Sequence, residues 1–405
     1  MSSLDVRTRT DSDVREIEAR AFFDDELPDL IRDHAHLAVP GARELGVAPF
    51  VFAVDDATWT LALDADSISV VDGDLGEACV RLDPDEVAKL VNDLITPMTL
   101  VTSATLRMER GELGAFLDWW VVLRSLIDER PVHTAGSLVL RDMAGDPLDP
   151  NRSFSPDDDD VEIAHFLREA GCLHLEGWFD VAEMEAIGRD MDAALPLYSQ
   201  DDGRSWWAET ADGTERAVRL QGFQEHSPTL AGLLGDERFL RIGALTDDGY
   251  VARGTAEALE KPIGVVKGIS DLLWHKDCSL GMHSYGCTGL VVGISVTGAD
   301  AASGQLSVVP GSHRALVQPI GHRRQWGLAA RELPTRTGDV TVHCSCTLHK
   351  SHPPIERERR VIYTGFGLPE GDGEASEDRN ALRAVRELSY KNVSQEPSPV
   401  VVGAS

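Results

Sequence analysis

The sequence has no uninterrupted apolar run of the ~18–20 residues that a membrane span requires, and its first twenty residues hold no apolar signal core. Basic residues are also scarce, since 38 Lys and Arg stand against 68 Asp and Glu, giving a formal charge of -30. Such a surface would repel a polyanion. We therefore predict a cytoplasmic protein with no membrane span and no nucleic-acid partner.

Cysteine is sparse as well, with six residues in 405 and no regular spacing. This excludes a disulfide framework and fits a reducing compartment. Cys344 and Cys346 form the closest pair, but no second pair accompanies them, which disfavours a structural zinc site. At 405 residues the chain is long enough for two domains. Nothing in the composition indicates an oligomeric state.

The first 140 residues predict a small α+β domain. Apolar periodicity indicates helices over 13–37, 83–95 and 114–127 and strands over 49–54, 59–63, 67–71 and 100–108. Over residues 40–130 this order resembles the sterol-carrier-protein type of lipid-binding domain. The resemblance is carried by a tryptophan-bearing strand and by a helix start at Asp83-Pro84-Asp85-Glu86. Trp119 and Trp120 have a simpler interpretation, as core and interface residues.

Residues 141–160 combine prolines, small polar residues and four consecutive aspartates, which predicts an acidic linker. Residues 161–370 contain two helices followed by many short strands between glycine turns, a pattern typical of a jelly roll. Residues 371–405 form a polar tail. The predicted fold is therefore α+β: a double-stranded β-helix (jelly roll, cupin-like) catalytic domain preceded by a smaller α+β domain.

A His-x-Asp triplet stands out at His275 and Asp277. In an extended strand, residues i and i+2 point the same way and can share one ion. A second histidine would complete the two-histidine, one-carboxylate set of non-haem iron(II) oxygenases, and His343, His349 and His352 compete for that position. The alternative for the triplet alone is a surface turn or a hydrogen-bonded pair.

The basic pair Arg359-Arg360 bears on this choice, because a guanidinium is a natural receptor for the distal carboxylate of 2-oxoglutarate. Here the sequence resembles the phytanoyl-coenzyme A dioxygenase family, whose signature is a histidine, a serine two positions later and an arginine eleven positions after the histidine. His349, Ser351 and Arg360 reproduce that spacing. The resemblance implies the iron(II) ligands His275, Asp277 and His349, with Ser351 and Arg360 binding 2-oxoglutarate.

Two further stretches, 165–171 and 304–313, extend the resemblance over residues 161–368. The second ends in a Pro-Gly-Ser-His turn, so His313 is not counted as a ligand. Asp277 is replaced by a small residue in halogenating relatives, so its presence favours hydroxylation. Pro354 departs from the asparagine of many members, which prevents transfer of their substrates. Lys267 is a further candidate for the oxo acid, with a solvated strand-end lysine as the alternative.

We therefore predict a dioxygenase that uses Fe(2+), 2-oxoglutarate and O2 to hydroxylate an apolar small molecule such as a lipid, a thioester or a natural-product intermediate. The lipid-binding resemblance and Trp206-Trp207 favour an apolar substrate. One alternative is a non-catalytic, cupin-like metal-binding sensor, which would not need Arg360. The other is a zinc hydrolase, with the ligands His275, His283 and His349.

Overall fold

In a computed structural model of the protein, residues 14–268, 272–280 and 289–369 are described. His283 and the predicted tail 371–405 lie outside these residues. Two large clusters of buried apolar side chains are present, one within residues 19–126 and one within residues 154–366. No helix in the described ranges is both long and apolar enough to cross a bilayer. The domain boundaries given above stay a prediction.

The N-terminal unit, residues 14–127, is built on one five-stranded sheet. Its strands are β1 (Phe50–Val54), β2 (Ala57–Leu63), β3 (Ile68–Asp72), β4 (Ala78–Leu82) and β5 (Arg107–Arg110). Its helices are α1 (Ala19–Ala21), α2 (Leu27–Leu45), α3 (Pro84–Val91), α4 (Pro97–Thr102) and α5 (Leu113–Ile127), with a π-helical turn at Phe22–Glu26. The sheet order is β3-β2-β1-β4-β5, and only β1 and β4 pair in parallel.

Aromatic side chains fill the core between this sheet and its helices. Phe23 stacks on Trp59 with ring centroids 4.7 Å apart, and helix α5 packs against α2. Trp119 and Trp120 both belong to the same core. Their burial is therefore explained by packing within the N-terminal unit. The likeness to sterol-carrier domains stays a prediction.

Helix α4 occupies part of the segment for which a strand over 100–108 is predicted from the sequence. Thr96 begins the helix: its hydroxyl accepts a hydrogen bond from the Thr99 amide at 3.3 Å, and the Thr99 hydroxyl accepts one from the Thr96 amide at 3.0 Å. Pro97 follows in the first helical position. This reciprocal cap and the preset φ of proline favour a helical start over the strand preference of the apolar residues. Only β5 remains as a strand.

The segment 141–160 packs onto the C-terminal half of the chain. Phe154 is buried in the second apolar cluster and forms a parallel bridge with Leu175. The acidic run leads into a helix, since the Asp159 side chain accepts a hydrogen bond from the Val161 amide at 2.7 Å. A carboxylate at this position satisfies an otherwise unpaired helical N–H group. The aspartates therefore start a helix.

The C-terminal half contains four helices and thirteen strands among the described residues. The helices are α6 (Asp160–Ala170), α7 (Val181–Ala194), α8 (Pro228–Leu233) and α9 (Glu237–Ala244). The strands are β6 (Cys172–Leu175), β7 (Ser205–Thr210), β8 (Glu215–Leu220), β9 (Val251–Ala252), β10 (Glu257–Lys261), β11 (Val265–Lys267), β12 (Leu272–His275), β13 (Gly289–Ser295), β14 (Leu306–Val308), β15 (Arg331–Leu333), β16 (Val340–Cys344), β17 (His349–Ser351) and β18 (Arg359–Gly367).

These strands form a larger and a smaller antiparallel sheet. The larger has the order β11-β7-β8-β10-β18-β13-β16-β6, with β9 beside β18, and the smaller has the order β12-β17-β14-β15. Two antiparallel sheets of short strands are the arrangement expected of a jelly roll. The smaller sheet carries two histidines of the candidate metal centre, His275 on β12 and His349 on β17.

The turn that contains His313 has a structural role. Helix α6 ends at Gly171, which has a left-handed φ of 73°, and a Cβ atom there would lie 2.2 Å from Nδ1 of His313. The other ring nitrogen of His313 lies 3.0 Å from the carbonyl oxygen of Arg168. Glycine is needed here for both its backbone conformation and its lack of a side chain. His313 is thus committed to the end of helix α6.

Candidate metal centre

Strands β12 and β17 lie side by side and place His275 directly opposite His349. Strand β12 ends at His275, and Asp277 begins a 3-10 turn that runs to Leu280. The strand predicted to include both His275 and Asp277 therefore ends at His275. The turn nevertheless brings the carboxylate to the two imidazoles. One ligand atom from each of His275, Asp277 and His349 lies within 4.8 Å of the others.

The two imidazoles are oriented by the backbone. Nδ1 of His275 lies 2.7 Å from the Leu273 carbonyl oxygen, and Nδ1 of His349 lies 3.0 Å from that of Thr347. A carbonyl can only accept, so each Nδ1 carries a proton and Nε2 is the nitrogen left for a metal. These Nε2 atoms lie 3.3 Å and 3.6 Å from Oδ1 of Asp277. The three atoms fit a facial set of metal ligands.

Burial and charge favour the metal-binding forms of two of these side chains. Burial alone would raise the pKa of Asp277, but His349, His275 and His343 beside it hold that pKa well below its ordinary value. Burial and the neighbouring His343 depress the pKa of His349 well below its ordinary value. Asp277 is therefore ionised and His349 neutral near pH 7. For His275, Asp277 outweighs burial and raises the pKa, so a metal would compete with a proton there.

The three histidines that compete for the third ligand position differ in where they point. His349 meets His275 and Asp277, as described above. His343 is also near, with Nε2 3.4 Å from Oδ2 of Asp277, but it is not part of the three-residue cluster. His352 follows the end of β17, and its Nε2 lies 2.6 Å from the Ser307 hydroxyl. Among the described residues, the group that could hold an ion therefore contains His349 and neither His343 nor His352.

A second polar group surrounds Ser351, two residues after His349 on the same face of β17. The Ser351 hydroxyl accepts hydrogen bonds from Nη2 of Arg359 at 2.9 Å and from Nζ of Lys261 at 2.6 Å. All three side chains are buried. Nε of Arg359 has no hydrogen-bond partner among the described residues. A buried guanidinium with an unused donor is suited to bind a carboxylate.

Arg360 is not brought to this site. Its Nη2 lies 2.7 Å from Oδ1 of Asp192 and 3.2 Å from Oε2 of Glu260, and its Nη1 donates to the Gly188 carbonyl at 3.3 Å. Successive side chains of a strand point to opposite faces, so on β18 Arg359 faces Ser351 while Arg360 faces helix α7. In the place that the family spacing gives to Arg360, the structure has Arg359.

The lysine predicted for the oxo acid is also differently placed. Lys267 is exposed at the end of β11, which is the edge strand of the larger sheet and pairs with β7. Lys261 is the buried lysine of the site, opposite Arg359 in the register of β10 and β18. The sequence offers no clear signal for it, since three of the five residues of β10 are charged.

The N-terminal unit contacts the segment that carries His275 and Asp277. Helix α4 contacts the 3-10 turn that begins at Asp277. Asp118 of α5 accepts a hydrogen bond from the Gln318 side chain and pairs with Arg323 at 3.1 Å. The residue after Gln318, Pro319, accepts a hydrogen bond from the Lys276 amide at 2.9 Å. The backbone between His275 and Asp277 is therefore linked to α5 through one short segment.

Residues 167–360 match the family model described as phytanoyl-CoA dioxygenase (PhyH). The match confirms the family resemblance in the C-terminal part of the chain. No curated protein matches the sequence.

Similar solved structures include enzymes that bind iron and 2-oxoglutarate. The epimerase SnoN in complex with Fe3+, alpha ketoglutarate and nogalamycin RO is 19% identical, with 53% of this chain and 87% of SnoN covered and a TM-score of 0.40. EctD from S. alaskensis with 2-oxoglutarate and 5-hydroxyectoine is 20% identical, with 59% and 86% covered and a TM-score of 0.43. AviO1 from Streptomyces viridochromogenes Tue57 is 21% identical, with 54% and 98% covered and a TM-score of 0.42.

Proposed function

We propose that this chain, whose residues 167–360 form a phytanoyl-CoA dioxygenase family domain, is an iron(II)- and 2-oxoglutarate-dependent dioxygenase. The observation that carries the proposal is that one ligand atom from each of His275, Asp277 and His349 lies within 4.8 Å of the others, with Oδ1 of Asp277 3.3 Å and 3.6 Å from the two Nε2 atoms. Two imidazoles and one carboxylate fit iron(II) and leave other coordination positions open. These three residues would hold the metal.

The residues around Ser351 fit the second carboxylate of 2-oxoglutarate. Arg359 is buried, and its Nε has no hydrogen-bond partner among the described residues, so its guanidinium is suited to bind a carboxylate. We assign the distal carboxylate to Arg359, with the Ser351 hydroxyl and Lys261 beside it. This assignment replaces Arg360, whose charge is already compensated by Asp192 and Glu260. Lys267 has no role in the proposed site.

When bound together, iron and the oxo acid supply the oxidation: O2 converts 2-oxoglutarate to succinate and CO2 and oxidises the substrate. The chain binds and orients these groups. Arg359 and Ser351 fix one end of the oxo acid, and the backbone carbonyls of Leu273 and Thr347 hold the ligand imidazoles in one tautomer. We propose hydroxylation as the outcome, because Asp277 fills the position that a halogenating site would leave to chloride.

An apolar small molecule is the substrate class that we propose. The formal charge of -30 disfavours a highly anionic compound. Helix α4, in which Met98 and Leu100 are buried, lies against the turn that carries Asp277, so an apolar part of the N-terminal unit reaches the site. The pair Trp206 and Trp207 adds no support, because Arg219 covers the first ring at 4.2 Å and the second packs against the core.

The test is succinate formation by the full chain with Fe(II), 2-oxoglutarate and O2. We expect an apolar carboxylate, thioester or terpenoid to increase succinate release above the substrate-free rate, and polar amino acids to have no effect. Omission of Fe(II) is the control and should abolish release. Stimulation by polar amino acids alone would contradict the substrate class. Iron and 2-oxoglutarate binding without succinate release under any condition would instead favour the sensor.

A further inference from the structure

The imidazole of His343 is buried beside the carboxylate of Asp277, with its Nε2 3.4 Å from Oδ2. Only 1% of the residue is exposed, and neither Nδ1 nor Nε2 has a hydrogen-bond partner in the described part of the chain. Buried side-chain nitrogens in folded proteins nearly always have such a partner, so the surroundings of His343 need an explanation. The candidate metal centre lies beside it, since the ring centroids of His343 and His349 are 4.2 Å apart.

The two oxygens of Asp277 face different partners. Oδ1 lies 3.3 Å from Nε2 of His275 and 3.6 Å from Nε2 of His349, whereas Oδ2 lies 3.4 Å from Nε2 of His343. Within the described ranges, the atoms that could share one ion come from His275, Asp277 and His349, without His343. His343 is therefore placed beside the ligand set, on the side of the oxygen that the metal would not use.

We propose that His343 is a positioning residue for the carboxylate ligand, donating a hydrogen bond from Nε2 to Oδ2 of Asp277 so that Asp277 binds the metal through Oδ1 alone. A carboxylate held in this way occupies one coordination position. The remaining positions stay open for the oxo acid and O2. The proposal rests on the proposed metal ligands, but it does not depend on the substrate or on the outcome of the oxidation.

The backbone fixes His343 independently of any ion. It lies on β16, which pairs with β13 on one side and with β6 on the other, and His343 is opposite Val291 and Cys172. A strand paired on both sides has little freedom to shift. Thr341 points to the same face two residues earlier. It shares the strand but donates its hydroxyl toward the Gly293 carbonyl, so it provides a matched control position.

The test uses Co(II) as a spectroscopic probe of the full chain, because its visible absorption depends on coordination number. His343→Leu removes the N–H donor. His343→Asn has an N–H group on a side chain too short to reach Oδ2, whereas His343→Gln keeps an N–H group near the position of Nε2. We expect Leu and Asn to weaken Co(II) binding by about 10–100-fold, the usual effect of losing an outer hydrogen-bond partner of a ligand, and to change the spectrum. In His343→Gln, the Co(II) affinity and the spectrum should both return toward those of the wild type.

Thr341→Val should leave Co(II) affinity and spectrum unchanged. The proposal is overturned if His343→Asn and His343→Leu bind Co(II) as the wild type does, with the same spectrum. It is also overturned if His343→Gln is as weak as the other two, since His343 would then be a ligand itself. Should His343→Leu fail to fold by circular dichroism, the Asn and Gln pair decides. Wild-type binding by His275→Ala would instead contradict the metal site, and hence the proposed function.

Discussion

The metal end of the candidate site and its oxo-acid end differ in charge and in the sheets that build them. His275, Asp277 and His349 belong to the smaller sheet and the turn after it, and they present one carboxylate and two imidazoles. Arg359 and Lys261 belong to adjacent strands of the larger sheet and bring two cationic groups together. One end is suited to a cation and the other to an anion.

Strand β17 joins the two ends. His349 and Ser351 lie on the same face, and two residues of extended strand span about 6.6 Å, a length comparable with that of a five-carbon dicarboxylate. A molecule with a chelating end and a carboxylate end can therefore bridge the two groups. Neither sheet alone holds all the residues of the proposed site. The difference between the two ends is therefore also one between two sheets. It also predicts that substitutions at the two ends affect different ligands.

The largest effect is expected at the metal end. His275→Ala or Asp277→Ala should abolish iron(II) binding, because each removes one of three protein ligands, a loss beyond the ~10–100-fold that outer partners contribute. Anaerobic titration with iron(II) and 2-oxoglutarate, followed by the absorption of their complex, measures this. His352→Ala is the control, since that side chain points to Ser307 and should leave binding unchanged. Full iron affinity in both ligand variants would refute the ligand assignment.

The next effect separates two adjacent arginines at the oxo-acid end. Arg359→Ala should raise the dissociation constant of 2-oxoglutarate at least about 30-fold, because removing one partner of a buried charge pair costs roughly 2–5 kcal/mol. Iron(II) binding should change little. Arg360→Ala is the matched control and should leave 2-oxoglutarate binding near the wild-type value. The opposite ranking would show that the family spacing, and not the register of β18, identifies the receptor.

Lys261→Met should have a smaller effect at the same end. The lysine donates to the Ser351 hydroxyl and to the His352 carbonyl at 2.9 Å, so methionine would keep its volume and remove its charge. We expect 2-oxoglutarate binding to weaken about tenfold, as for loss of one hydrogen bond to a charged group. Lys267→Met, at an exposed lysine, should have no effect. Equal effects of the two substitutions would argue against an anion site beside Ser351.

How much the sequence predicts also differs between the two ends. The proposed metal ligands follow from a two-residue spacing and from the family signature, and their side chains meet even though Asp277 lies in a turn. The arginine requires a count of eleven residues across the loop between β17 and β18, where one residue more or fewer exchanges the two faces of the strand. Residues 359–366 show no regular alternation of polar and apolar side chains. The sequence therefore does not indicate whether Arg359 or Arg360 faces Ser351.

The same reasoning explains the other differences. Lys261 comes near Ser351 only through strand pairing between residues about 90 positions apart. Such a long-range contact leaves no local pattern. Helix α4 replaces a predicted strand because local capping at Thr96 and Pro97 decides the start of a short segment whose apolar residues suit either structure. Strong local sequence signals such as helix caps therefore predict local structure. The pairing of strands that are distant in the sequence cannot be predicted from them.

The smallest predicted effect concerns the support of the metal end by the N-terminal unit. Asp118 accepts from Gln318 and pairs with Arg323, and the following Pro319 accepts from the amide of Lys276, between two metal ligands. Asp118→Ala should therefore loosen the ligand backbone without removing a ligand. We expect iron(II) affinity to fall a few-fold, since a partly buried pair contributes on the order of 1 kcal/mol. The dissociation constant is measured by the same anaerobic titration.

Glu109→Ala is the control for this prediction, because Glu109 pairs with Arg81 of the same sheet, at the surface of the N-terminal unit, and not with Gln318 or Arg323. It should leave iron(II) affinity unchanged. Arg323→Ala should resemble Asp118→Ala, and the double variant should bind no more weakly than the single ones, because both changes break the same pair. Additive losses would mean that the two residues act separately. Unchanged affinity in all three would show that the smaller sheet holds its metal ligands without help from helix α5.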